Sequence, residues 1–292
     1  MRLLAACFAL ALLAGCATTP GTDRLAERDP LEGFNRGVWG FNRGVDKVVL
    51  KPVSTVYRTV APKPAEETPL TALALAESFE QAGLPAGVVN IVTGDGPQVG
   101  ARLVAHRDVD KVAFTGSPEV GRQIMQGAAG TLKKISLELG GKSPSIFFAD
   151  SDFESAVAAA LFGVFLNQGE VCSAGSRILV ERPIYRQFLD AMIEKARAIR
   201  VGNGRDRETQ MGPLITESHR ARVRRYQEIG KSEAKLALGG GVPAGERFAQ
   251  GFFVEPTIFD NVADAMTIAR EEIFGPVVSV LPFRNLTEVT QR

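Results

Sequence analysis

Hydrophobic positions along the chain recur with different periods, and each period predicts a different element. Leu3 to Ala14 is apolar without interruption and shows no polar face. It is too short to span a bilayer, which takes about 20 such residues. Phe34, Val38 and Phe41 stand at helical spacing and Pro52 closes that pattern, so an amphipathic helix with an extended exit is expected before Pro62. From Lys63 onward the pattern becomes α/β. Thr68 and Pro69 read as N-cap and first helical residue, and Leu70, Leu73, Leu75 and Phe79 predict a helix that ends at Gly83. The β-branched run Val88 to Val92 predicts a strand entering a Gly94-Asp95-Gly96 turn. Val112 to Phe114 predicts a second strand running into Thr115-Gly116-Ser117, with Pro118 opening another helix, and Ile135 to Leu139 predicts a third. An alanine-rich helix is expected from Phe153 to about Leu166. Strands alternating with helices in this way imply crossover connections and a parallel sheet, hence an α/β fold class.

Composition narrows the functional classes. The 292 residues can bury one large core or two ordinary ones, and 45% hydrophobic with 23% charged residues is a globular balance. With 34 Lys+Arg against 33 Asp+Glu the net charge is +1, so no basic field exists for nucleic acid. The three cysteines, Cys7, Cys16 and Cys172, have neither metal-ligand spacing nor the number for a disulfide framework. Thirty glycines are an excess that fits many tight turns or close backbone approaches to a ligand.

Three places carry candidate chemistry. Gly116 and Ser117 lie between a strand and a helix, where free amide groups and the helix dipole favour a phosphate; the same turn can equally be a plain connection. Glu138, between Leu137 and Leu139, is either an exposed edge carboxylate or a group held at the carboxyl end of a buried strand, where open α/β sheets bind ligands. Cys172 lies in a loop of small residues, where it is either an inert thiol or a nucleophile whose thiolate and oxyanion product the loop amides stabilise.

Two resemblances bring these residues together. Arg2, the apolar run and Leu13-Ala14-Gly15-Cys16 resemble a bacterial lipoprotein signal with its lipobox, so residues 1–15 would be a signal peptide and Cys16 the lipidated residue. Ala17 after the cysteine resembles the outer-membrane class. Residues 29–62, beginning DPLEGFNR and including the LKPV turn, resemble the start of mature MlaA (VacJ) phospholipid-transport lipoproteins. Residues 16–62 would then be an MlaA-like fragment anchored to the outer membrane. Residues 1–62 hold 8 basic and 5 acidic residues, which leaves the remainder at −2.

The second resemblance is to the NAD(P)-dependent aldehyde dehydrogenase superfamily. It rests on KPAEETPLTAL at 63–73, GLPAGVVNIVTG at 83–94, FTGS at 114–117, LELGGKSP at 137–144, NQGEVCSAGSR at 167–177 and EEIFGPV at 271–277. The resemblance implies a partial aldehyde dehydrogenase fold. Residues 63–137 would be an incomplete dinucleotide-binding part, residues 138–292 most of the catalytic α/β part, and a short helical N-terminal segment would precede both. It implies Cys172 as nucleophile and Glu138 as general base. It also implies Lys63 and Glu66 at the adenine ribose, Gly116, Ser117 and Gly121 along the pyrophosphate, and Glu272 and Phe274 at the nicotinamide. Glu66 suits a free 2′-hydroxyl, so NAD is expected, with NADP the alternative. The partner would be a small aldehyde. No metal site and no nucleic-acid partner are expected, and oligomerisation is in doubt because the family's dimer-building strand lies beyond Arg292. The family's first strands and its Pro-Trp-Asn oxyanion segment have no counterpart before Lys63, so turnover is expected to be slowed about 100-fold to 1000-fold by the missing oxyanion donor alone. The lipobox points to the outer membrane and a dehydrogenase to the cytoplasm. Three readings follow: an impaired aldehyde dehydrogenase, an MlaA-like lipoprotein, or a non-functional chimera of the two.

Overall fold

The computed structural model describes residues 70–292. Lys63, Glu66, Thr68, Pro69, Cys7, Cys16, the signal-like run and the MlaA-like segment lie outside the described residues. The chain divides into two compact units, residues 1–94 and 95–292, so the expected division at 137/138 falls inside the second unit.

In the first unit, helix α1 (Leu70–Gln81) has no buried residue, and Leu70 and Leu75 are exposed. Its end is set by Gly83, which takes φ 74°. The Leu84 amide donates to the Phe79 carbonyl at 3.0 Å and the Gly83 amide to Glu80 at 3.1 Å, which satisfies two carbonyls the helix leaves open. The strand expected over Val88–Val92 is not formed: the segment turns at Gly87 (φ 86°), with the Val88 amide bonded back to Pro85 and the Asn90 side chain to the Gly87 carbonyl. β-Branched residues favour a strand only where a neighbouring strand takes up the backbone groups, and among the described residues none does.

The second unit opens with a π turn (Gly96–Gly100) continued by α2 (Ala101–Ala105). Then follow β1 (Lys111–Gly116), α3 (Pro118–Ala129) and β2 (Lys134–Leu139). β1 and β2 pair in parallel, with Thr115 opposite Glu138 and Gly116 opposite Leu139, so α3 is the expected crossover. Ser117 caps α3 by accepting from the Val120 amide, and Pro118 takes the first position, where no amide is needed. Gly121 is buried on the inner face of α3 because a β-carbon there would strike Leu139. Neither strand has a fully buried residue.

The larger sheet contains β3 (Pro144–Phe147), β4 (Arg177–Glu181), β5 (Lys235–Leu238), β6 (Thr257–Asp260) and β7 (Val277–Phe283) in the order β3-β4-β7-β6-β5. All neighbours are parallel except β5 and β6. Helices cover both faces. Ile178, Val180, Ile258, Val278 and Val280 pack on α4 (Phe153–Phe165) and α5 (Arg182–Arg197), through Val157, Ala160, Phe188, Leu189 and Met192. Phe259, Val277 and Leu281 face α6 (Glu217–Glu233) and the short α7 (Thr267–Arg270) through Val223, Tyr226 and Ile268. The terminal α8 (Leu286–Thr290) places Val289 with Leu179 and Phe283. The central strands are apolar on both sides, as in a sheet covered by helices on two faces. Each fully buried Phe, Leu, Ile or Val contributes about 1.5–3 kcal/mol, so this sheet holds most of the described core. Pro282 fits within β7 because pairing with β6 stops at Ser279, and its carbonyl accepts from Arg292 at 2.9 Å instead. Among the described residues no helix is long and apolar enough to cross a membrane.

Candidate active site

The loop that bears the candidate nucleophile is shaped by a run of left-handed residues. α4 gives way to a single turn in which Asn167 (φ 49°), Gln168 (φ 57°) and Gly169 (φ 75°) all have positive φ. Side-chain residues rarely adopt this region, and clusters of them mark functional sites. The Asn167 side chain fixes the reversal by donating to the Glu170 carbonyl at 3.1 Å. Position 169 requires glycine for a second reason, since a β-carbon there would collide with the Gly275 carbonyl. The chain then makes a tight turn from Val171 to Ala174, closed by the Ala174 amide on the Val171 carbonyl at 3.0 Å. Cys172 occupies this turn with its thiol free and its side chain exposed. The central amides of the turn, those of Cys172 and Ser173, donate to no group among the described residues. They therefore stand available to a developing oxyanion beside the sulfur. The inert buried reading of Cys172 does not describe this position.

Glu138 carries a feature of each of its two readings. It lies on β2 and is exposed, while Leu137 and Leu139 are half-buried, and it forms no hydrogen bond or ion pair among the described residues. It is exposed and at the carboxyl end of β2, two residues before the Gly140-Gly141-Lys142 exit of the strand.

Both motifs meet the loop Glu271–Pro276. A β-carbon on Gly140 would meet the Glu272 carboxylate, so the end of β2 lies directly against that side chain. Gly141, Gly169, Val171, Ala174, Ser176 and the loop from Glu272 to Gly275 together line a small, partly open recess. Phe274 sits in this loop at φ 60°, a strained conformation for an aromatic residue. The loop is tied to α6: Arg222 donates to the Glu272 carbonyl at 2.8 Å, and a β-carbon on Gly275 would enter Val223. His219, in the first turn of α6, reaches the Phe274 carbonyl through Nε2 at 2.6 Å. The same nitrogen lies 3.2 Å from Oε1 of Glu170. Burial pushes the Glu170 carboxyl above its ordinary range, and His219, the Ile215 amide and Gln168 pull it partly back.

Near Glu272 lies Lys142, whose Nζ is buried without a hydrogen-bond partner. Burial and the neighbouring Arg177 push its pKa down to about 8, while the Glu272 carboxylate opposes the shift. Arg177 Nε is likewise buried and unpartnered.

On the expected cofactor side, Gly116 and Ser117 form the junction of β1 and α3. The Ser117 hydroxyl is engaged in capping α3, and Gly121 faces Leu139 rather than the turn, so its glycine serves helix-to-strand packing. The sequence patterns do not single out His219, Glu170, Arg222 or Arg177. For His219 a signal exists, because it is one of only two histidines in the chain. Among the described residues no group of three His, Cys, Asp or Glu side chains comes together as metal ligands.

Comparison with known proteins identifies relatives of the chain. Betaine aldehyde dehydrogenases of Brucella ovis and Brucella suis are each 49% identical over 257 residues, covering 88% of this chain and 53% of the relative. The crystal structure of the Staphylococcus aureus betaine aldehyde dehydrogenase in complex with NAD+ superposes with a TM-score of 0.75 at 44% identity, covering 77% of this chain and 45% of that one. An apo structure of a point mutant of the same enzyme gives a TM-score of 0.75 at 45% identity, with the same coverage of both chains. The chain spans about half the length of the curated relatives it matches. The fold is accordingly a partial aldehyde dehydrogenase fold of mixed α/β type. The aldehyde dehydrogenase family model matches residues 9–292, beginning well before Lys63 and taking in most of the stretch that resembles a lipoprotein. The chain therefore belongs to the aldehyde dehydrogenase family.

Proposed function

We propose that this chain carries the catalytic machinery for NAD-dependent oxidation of a small aldehyde, betaine aldehyde being the first candidate because the relatives carry that substrate in their name. The observation that carries this reading is the exposed Cys172 on a turn whose two central amides are free, beside a recess bounded by Glu272 and Phe274. The Cys172 thiolate adds to the aldehyde carbon, forming a thiohemiacetal whose oxyanion the Cys172 and Ser173 amides accept. NAD+ would supply the hydride acceptor for that carbon, and loss of the hydride would leave Cys172 as a thioester. Glu138 removes a proton from water as the water attacks the thioester, which releases the acid and returns the thiolate. Glu272 and Phe274 would hold the nicotinamide end of the cofactor and the Gly116-Ser117 turn its pyrophosphate. Incubation with betaine aldehyde and NAD+ should yield slow NADH formation that Cys172→Ala abolishes. NADH formation unchanged in Cys172→Ala would rule out the assigned nucleophile.

A second reading concerns residues 1–62 and is favoured by the Leu13-Ala14-Gly15-Cys16 box behind its charged and apolar leader. We propose that Cys16 is lipidated and anchors the chain at the outer membrane, with residues 16–62 an MlaA-like segment. Radiolabelled palmitate should enter the wild type and not Cys16→Ser; equal labelling of the two would refute the anchor.

A further inference from the structure

Three segments meet beside the recess: the nucleophile loop, the first turn of α6 and the loop of Glu272 and Phe274. One side chain joins all three. His219 belongs to α6, its Nε2 lies 2.6 Å from the Phe274 carbonyl, and the same Nε2 lies 3.2 Å from the Glu170 carboxylate, two residues before Cys172. A carbonyl oxygen only accepts, so Nε2 carries the proton and the ring donates through it. Thr216 holds the imidazole's own backbone by accepting from the His219 amide at 3.0 Å. The His219 ring also stands edge-on to Phe274, with centroids 6.0 Å apart.

We propose that His219 is a positioning residue that couples the Cys172 loop to the Glu272–Phe274 loop: its Nε2–H donates to the Phe274 carbonyl, and the buried Glu170 Oε1, which has no hydrogen-bond partner, rests against the same nitrogen at 3.2 Å. Both loops need such a clamp. Phe274 at φ 60° and the left-handed Asn167 and Gln168 persist only where surrounding contacts hold them. The charged groups nearby are otherwise engaged. Arg220 pairs with Glu217 at 2.6 Å, Arg222 donates to the Glu272 carbonyl, and Glu271 accepts from Tyr226 at 2.7 Å. A nucleophile and a hydride acceptor must keep their separation to within about 1 Å, so a shared anchor serves the chemistry directly. The catalytic meaning rests on Cys172 being the nucleophile, whereas the coupling itself stands apart from that reading.

Amide hydrogen exchange on the full chain separates the two. The reporters are Glu170 and Ala174, bonded to the Asn167 and Val171 carbonyls, and Val277, bonded to Gly275. His219→Ala should speed exchange about tenfold or more at all three, while Ile178 and Leu281 inside the sheet stay protected. His219→Gln retains an N–H for the Phe274 carbonyl and should restore protection. Glu170→Ala cuts one link only and should loosen Glu170's own loop while Val277 stays protected. Loosening confined to the first turn of α6, loosening that spreads through the sheet, or failure of His219→Gln to restore protection would each overturn the clamp. Should His219→Ala not fold, His219→Gln and Glu170→Ala still decide: an unchanged Ala174 amide in Glu170→Ala contradicts the coupling. An exchange pattern as expected, together with NADH formation indifferent to Cys172→Ala, would sink the nucleophile assignment and leave the clamp in place.

Discussion

Lys142 is the residue where burial and charge conflict most openly. Its ammonium is buried and unpartnered, and its pKa falls from 10.5 to about 8. Between those values the unfolded chain binds the proton and the native chain does not, so stability contributed by this group rises with pH across about 8 to 10.5 and is flat below. Lys142→Met should lack that rise. Urea unfolding of both proteins at pH 7 and pH 10 should show the wild type gaining up to about 3 kcal/mol on the variant over that interval. Parallel curves would mean that the ammonium is solvated. The same scale shows what can be read in advance. Cys172 and Glu138 are visible because their surrounding motifs are distinctive, but Lys142 stands in one of those motifs without a role that the motif explains. Its environment depends on Glu272, 130 positions away in sequence, and on Arg177, which no local pattern associates with it. His219 and Glu170 escape for the same reason.

Elements are legible where their ends carry chemistry. Ser117-Pro118 announces α3, Gly83 ends α1 through a positive φ, and the alanine-rich run forms α4 within a residue of its expected end. Val88–Val92 misleads because β-branched content says nothing about whether a partner strand is present. α6 is not announced by its sequence. Its face toward the sheet is carried by few apolar residues, Val223 and Tyr226 among them, and Arg220, Arg222, Arg224 and Arg225 crowd the same stretch. At the junction of α4 and the nucleophile loop, Gly169 meets both a conformational and a steric demand. Gly169→Ala should cost about 2 kcal/mol or more, from the left-handed backbone and the clash with the Gly275 carbonyl. Thermal unfolding would measure it, and a change below about 0.5 kcal/mol would show that the loop shifts freely to accommodate a side chain.

At the scale of the molecule, the five-stranded sheet with helices on both faces carries the core, and the smaller β1–β2 pair carries Glu138 on an exposed strand. The α/β class is readable from alternating periods, but the order β3-β4-β7-β6-β5 is not, because strand neighbours are set by long-range pairing. What joins the candidate site is likewise long-range: the exit of β2, the turn of Cys172 and the Glu272 loop are brought together by Gly140 and Gly169, which let the chain segments touch. Central to the proposed function is an acyl intermediate on Cys172 that Glu138 helps to hydrolyse. Mass spectrometry of the Cys172 peptide after long incubation of Glu138→Gln with NAD+ and betaine aldehyde tests it most directly. A persistent acyl group on Cys172 is expected in that variant, little or none in the wild type, and none in Cys172→Ala. An acyl group on another residue, or NADH formed by Glu138→Gln with Cys172 left unmodified, would contradict it.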